Sequence, residues 1–243
     1  MKRKGRILIG TSGWHYKHWI GTFYPAETKD AEQFPYYCRF FKTVELNNSF
    51  YHLPAPQTFT NWRKAVPSDF VFAIKGSRYI THQKKLNVEK DSIKLFFSSV
   101  KKLQEKSGPI LFQLPPRWNI NVERFARFLK LLPKKYRYTF EFRNHSWYAQ
   151  EVYELLQMNN CAFCIYELEH HLSPIKVTAD FVYMRLHGPG NKYQGSYNDE
   201  QLKKWAKQCR GWQKESKDVY VYFDNDQSGY AAFNALKLQA LVK

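Results

Sequence analysis

Seven residues of this chain combine charge and spacing in a way that could do chemistry: Glu45, Lys75, Glu141, Arg143, Arg185, His187 and Asp224. Most of them sit late in a short run that reads as a β-strand. In the run Val182 to Gly188, Tyr183, Arg185 and His187 alternate with Val182, Met184 and Leu186. Thr139, Glu141 and Arg143 alternate with Tyr138, Phe140 and Phe142, and Tyr220, Tyr222 and Asp224 alternate with Val219, Val221 and Phe223. Successive strand residues point to opposite faces, so each run presents one apolar surface and one ionisable surface. Two carboxylates near Lys75, namely Glu45 and Glu141, could be pushed apart in pKa and so divide the roles of acid and base. His187 titrates near neutrality, and Arg143 and Arg185 carry planar forks suited to carboxylate or phosphate. The catalytic expectation is therefore Glu45, Lys75, Glu141, His187 and Asp224. Asn47, Gln113, Arg143, Tyr166, Arg185, Trp14 and Trp147 are expected to bind substrate.

Eight such runs recur: Arg6 to Gly13, Thr43 to Phe50, Phe70 to Lys75, Ile110 to Leu114, Tyr138 to Arg143, Ala162 to Glu167, Val182 to Gly188 and Val219 to Asp224. Amphipathic stretches fall between them at Gln57 to Ala65, Lys90 to Lys106, Val122 to Leu132, Glu151 to Asn159 and Asp199 to Gln213, and Tyr230 to Val242 follows the last. Eight alternations in 243 residues predict an α/β chain forming a single (β/α)8 TIM barrel over residues 1–243, close to the roughly 250 residues usual for that fold. An open doubly wound sheet is the rival. It explains the alternations less well, and Gly10, Gly13 and Gly21 do not make the dinucleotide spacing.

Composition narrows the function classes. Hydrophobic residues make up 44% of the chain, enough for a core, and no apolar run reaches the roughly 20 residues of a membrane span. The basic start, Met1 to Arg6, leads into only three apolar residues, too few for a secretory leader, so a cytoplasmic location without membrane association is expected. Cys38, Cys161, Cys164 and Cys209 read as reduced thiols, since Cys161-x-x-Cys164 has no second pair to complete a zinc site. No cofactor is called for. A divalent metal on His187, Glu141, Glu45 and Asp224 is the weaker reading, because Lys75, Arg143 and Arg185 would repel a cation. No Gly-x-Ser-x-Gly elbow occurs. The formal charge of +17, from 38 Lys and Arg against 21 Asp and Glu, favours anionic partners, either small molecules or nucleic acid. Lysines on helix faces and ends, among them Lys101, Lys102, Lys106, Lys134 and Lys135, fit a solvated surface equally well.

Six motifs in order carry a family resemblance. They are Val44 to Tyr51, Phe72 to Lys75 with Ile80-Thr81-His82, Leu111 to Pro116, Glu141 to Trp147, Tyr183 to Gly188, and Tyr222 to Asp226 with Asn234-Ala235. Together they resemble the YecE-like family, a domain of unknown function (number 72), over nearly the whole chain. The resemblance implies a TIM barrel and brings no reaction or cofactor with it. A looser likeness in outline to DNA-repair and sugar-isomerase barrels of the endonuclease IV kind is one of fold alone. Two functions remain in view: an enzyme applying acid–base chemistry to a phosphate- or nucleotide-bearing anion at the C-terminal mouth of the barrel, and a non-catalytic nucleic-acid-binding module with a structural polar pocket. If the ionisable groups only satisfy one another, the expected pairs are Glu45 with Lys75 and Glu141 with Arg185. Aromatic residues, 18% of the chain, serve either ligand stacking or ordinary packing.

Overall fold

The computed structural model describes residues 3–243. Eight strands run parallel wherever their registers are defined: β1 (Ile7–Thr11), β2 (Thr43–Leu46), β3 (Val71–Lys75), β4 (Ser107–Leu114), β5 (Tyr138–Phe142), β6 (Ala162–Leu168), β7 (Phe181–Leu186) and β8 (Asp218–Phe223). Their order is β1-β8-β7-β6-β5-β4-β3-β2, and a parallel bridge between Ser12 and Glu45 joins β1 to β2. Sequential parallel strands with helices between them make this a nearly closed, TIM-barrel-like α/β fold. The helices are α1 (Asp30–Tyr37), α2 (Asn48–Tyr51), α3 (Pro56–Ala65), α4 (Lys90–Val100), α5 (Val122–Leu131), α6 (Gln150–Met158), α7 (Asp199–Lys214) and α8 (Tyr230–Val242). No helix among the described residues is long and apolar enough to cross a membrane.

Contacts divide the chain into two compact units whose boundary runs through β2 and β6 themselves. The first holds the N-terminal segment through Glu45, Ile165–Ile175 and Asp180–Lys243. Its inner layer is built from tyrosines rather than branched aliphatics. The Tyr222 and Thr43 hydroxyls meet at 2.6 Å, and the Tyr37 hydroxyl accepts from the Thr11 amide at 3.1 Å while donating to the Thr43 carbonyl at 3.0 Å. The buried hydroxyls of Tyr222, Thr43 and Tyr37 thus have partners, which offsets the cost of taking them out of water. Asn198 and Gln201 cap the start of α7 reciprocally.

The second unit, Leu46–Cys164 with Lys176–Ala179, has an aromatic core. Phe112, Phe125, Phe128, Phe140 and Phe142 contact one another at ring separations of 4.9 to 6.3 Å. Much of the aromatic content is thus packing between the sheet and α5. Lys106 is buried, contrary to its expected place on a solvated surface. Its ammonium donates to the carbonyls of Arg63 and Val66 at 2.8 and 2.7 Å, satisfying the end of α3.

Several boundaries differ from the expectation. The second run ends at Leu46, and Asn48–Tyr51 is helical with Asn47 (φ −97°, ψ −18°) at its cap. Asn has low strand propensity, and the Ser49 hydroxyl donates to the Lys75 carbonyl at 2.6 Å, tying the helical turn to the end of β3. The stretch Lys90 to Lys106 breaks at Val100 into α4 and a 3₁₀ segment interrupted by Gln104 at φ +50°. Between β6 and β7 a two-residue strand, His171–Leu172, folds back antiparallel on β6 through Glu169 and His170, both at positive φ. A primed two-residue turn needs that geometry. Helix α1, with Pro35 inside it, has no counterpart in the sequence reading.

Candidate active site

Glu45, one residue from the end of β2, and Arg185, one from the end of β7, are buried to 0% and 1% exposure. Strand parity puts Tyr183 and Arg185 on one face of β7, and both reach the Glu45 carboxylate. The Tyr183 hydroxyl donates to Oε2 at 2.6 Å, Arg185 Nε lies 3.1 and 3.2 Å from the two oxygens, and Nη2 donates to Oε1 at 2.8 Å. The Ser12 hydroxyl donates to Oε1 as well. Burial and the adjacent Glu45 charge hold the Tyr183 hydroxyl protonated, with its pKa well above the ordinary value.

The other nitrogens of Arg185 extend the network. Nη2 also meets Ser12 Oγ and Asp224 Oδ2, each at 3.2 Å, and Nη1 lies 3.2 Å from His187 Nε2. A guanidinium only donates, so Nε2 of His187 accepts and the imidazole proton sits on Nδ1. That atom lies 3.0 Å from Asp224 Oδ2, although its N–H is poorly aligned for a hydrogen bond. Asp224 is the member with solvent access, its side chain 18% exposed. Arg185 was expected to grip a ligand. Its nitrogens instead hold Glu45, Asp224 and His187 in place, because a buried fork must satisfy its donors internally.

Two residues past Asp224, Asp226 takes a hydrogen bond from Trp19 Nε1 at 2.6 Å and an ion-pair contact from His18 Nε2 at 2.9 Å. Burial, reinforced by the neighbouring Asp224 charge, outweighs these partners and pushes its carboxyl up to about 6. Tyr16 lies in the same group: burial and the charges of Asp224, Asp226 and Glu45 raise its hydroxyl pKa, and it donates to the Ser12 carbonyl. Gly13, at φ +96°, makes this possible, since a Cβ there would come within 2.8 Å of the Tyr16 oxygen. Ser12, Tyr16, Trp19 and Asp226 were absent from the predicted site. For Tyr183 a signal existed, alternation with Arg185. Ser12 had none, because its role depends on the bridge to Glu45.

Within the second unit, Glu141 is fully buried and pairs with Arg143, whose Nε donates to Oε1. Cys164 Sγ approaches its Oε2 at 3.9 Å. Glu45 thus pairs with Arg185 and Glu141 with Arg143; residues two apart on one strand face, like Glu141 and Arg143, are already within reach. Gln113 stands beside Glu141 in the β4–β5 register and is partly exposed. Lys75 ends β3 with its ammonium 4.4 Å from the Phe50 ring centroid. Burial, then the charges of Lys75, Arg78 and Arg143, lowers the pKa of His82 to about 4. Lys75 and Arg143 both act on His82 in the direction that disfavours its charged form.

The remaining expected binders divide by exposure. Tyr166 is buried with its ring 6.5 Å from that of His187. Trp14 is half-buried and stacked on Phe34 at 4.2 Å. Trp147 is fully buried, its indole N–H donating to the Trp118 carbonyl at 2.7 Å and its ring stacked on Phe142 at 5.1 Å. It belongs to the core, not to a surface a ligand could touch. Asn47 follows the end of β2 and takes helical conformation at the cap of α2. No cluster of three or more metal-ligating side chains occurs among the described residues.

Residues 8–243 match the family model described as protein of unknown function DUF72. The UPF0759 protein YunF of Bacillus subtilis is 26% identical over 97% of this chain and 94% of its own length. The UPF0759 protein YecE of Escherichia coli is 28% identical over 59% of this chain and 51% of its own. Among solved structures, a DUF72 family protein from Thermotoga maritima is 28% identical, covers 98% of this chain and 99% of its own, and superposes with a TM-score of 0.88. Another from Enterococcus faecalis, 21% identical over 97% and 95%, has a TM-score of 0.84 and supports the fold alone. With the family model spanning nearly all of the sequence and the predicted fold observed, the chain belongs to the DUF72 family.

Proposed function

We propose that this protein is an enzyme that moves protons with Asp224 and Asp226 and acts on a small anionic substrate bearing phosphate or nucleotide. One observation carries the reading: two carboxyls two residues apart stand in unlike surroundings. Asp224 has the Arg185 guanidinium beside it as a counter-charge, whereas burial pushes Asp226 up to about 6. A carboxyl raised toward neutrality beside a carboxylate held by a guanidinium gives one site a proton donor and an acceptor near neutral pH. Compared with the sequence reading, the acid–base pair moves from Glu45 and Glu141, which have no exposed surface, to the two aspartates, which do. Glu45, Arg185 and His187 become positioning residues around Asp224. The substrate class is supported by the charge of +17 and by Lys75 and Arg143, cations at strand C-terminal ends, where barrel enzymes place ligand-binding groups.

The test is a melting-temperature screen with inorganic phosphate, nucleoside monophosphates and sugar phosphates, with any stabilising compound followed by phosphorus NMR for conversion. Asp226→Asn is expected to keep binding and lose conversion. A screen in which no phosphate-bearing compound raises the melting temperature would remove the substrate class, and conversion unaltered in Asp226→Asn would remove the assignment of the proton carrier.

A further inference from the structure

Five lysines outside the candidate active site, Lys90, Lys94, Lys101, Lys130 and Lys135, rim a groove of about 640 Å³ between α4 and the end of α5. All five are exposed, and no Asp or Glu lines the groove. Lys94 has the exposed Asp91 at 2.8 Å on its outer side. The floor is aromatic: Phe97 and Tyr136 stack with ring centroids 4.9 Å apart, and Lys135 Nζ lies 5.0 Å from the Tyr136 ring. Tyr136 precedes β5, whereas Glu141 lies near its far end, five residues and roughly 16 Å along an extended strand. Every residue lining the groove belongs to the second unit, and none takes part in the chemistry proposed for Asp224 and Asp226.

We propose that this groove binds single-stranded nucleic acid. Its rim supplies point charges for successive phosphates, and its aromatic floor offers an apolar surface to an unstacked base. A duplex presents phosphates outward and keeps its bases stacked inside, so it would meet the rim and leave the floor unused. An acidic protein would find charges but no reason for the ring stack. The proposal is independent of the aspartate reading, since it uses neither its residues nor its substrate.

The experiment is fluorescence anisotropy of a labelled oligothymidylate on the full chain at 50 and 200 mM salt. Two triple variants of equal charge change are compared, Lys90→Gln/Lys130→Gln/Lys135→Gln in the groove and Lys203→Gln/Lys204→Gln/Lys207→Gln on the exposed face of α7. For single strands each neutralised phosphate contributes about −0.7 to the slope of log K against log salt, so loss of three contacts flattens the slope by about 2 and weakens binding at 50 mM on the order of a hundredfold. The α7 variant is expected to bind within a few-fold of wild type. Equal weakening of both variants would overturn the proposal in favour of undirected surface charge. Absence of binding at 50 mM would overturn it too, as would equal or tighter binding of a duplex or of anionic phospholipid vesicles in the groove-dependent manner.

Discussion

Replacing Asp226 by Asn should change how stability depends on pH. The native carboxyl holds its proton to about pH 6, against an ordinary value of 3.8. A carboxyl whose pKa is raised by folding binds its proton more tightly in the native state, so stability falls as pH rises through that window and the penalty is complete above about pH 6. At about 1.4 kcal/mol per pH unit, the full penalty is about 3 kcal/mol, and the side chain's remaining exposure of 13% brings the expectation to about 2–3 kcal/mol. Asparagine fits the same space: its Oδ1 accepts from Trp19 Nε1, and its amide stands where the carboxylate meets His18 Nε2. Urea titrations between pH 4 and 8 should therefore show near-equal stabilities at pH 4 and a variant more stable by about 2–3 kcal/mol at pH 7. For a chain of this size that is roughly 5–10 °C in melting temperature. Two parallel pH profiles, or a variant weaker than wild type at pH 7, would refute the argument that burial dominates at this aspartate.

Arg185→Met should cost about 3–5 kcal/mol in denaturant titration, because it strands the Glu45 charge in the interior, while Arg185→Met combined with Glu45→Gln should recover most of the loss. Lys75→Met should raise the His82 pKa from about 4 toward its ordinary 6.5, followed by proton NMR of the imidazole, and should remove binding of phosphate-bearing ligands with little change in melting temperature. A loss of about 3 kcal/mol with ligand binding intact would instead assign Lys75 to scaffolding. Trp147→Ala should lower stability by about 3–5 kcal/mol through the lost packing on Phe142 and Trp118. Ligand affinity of whatever protein remains folded should not change, and a selective loss of affinity would return Trp147 to the site.

Alternation within each strand was sufficient for the fold class and for which residues share a face. Arg185 with Tyr183, and Glu141 with Arg143, are local facts with a period of two, and the eight alternations follow from residues close in sequence. Local pattern could not supply partner identity. Glu45 meets Arg185 across 140 positions and Ser12 across 33, contacts set by strand order and stagger that charge alone does not name. Nor does sequence report burial of a particular polar side chain. Lys106 and Trp147 were placed at the surface or the site by composition and neighbourhood, and packing put both inside with their N–H groups satisfied. Asp226 is the sharpest case. Its neighbours in sequence, Asn225 and Gln227, say nothing of Trp19 and His18, yet those two residues and the surrounding low dielectric decide when it gives up its proton.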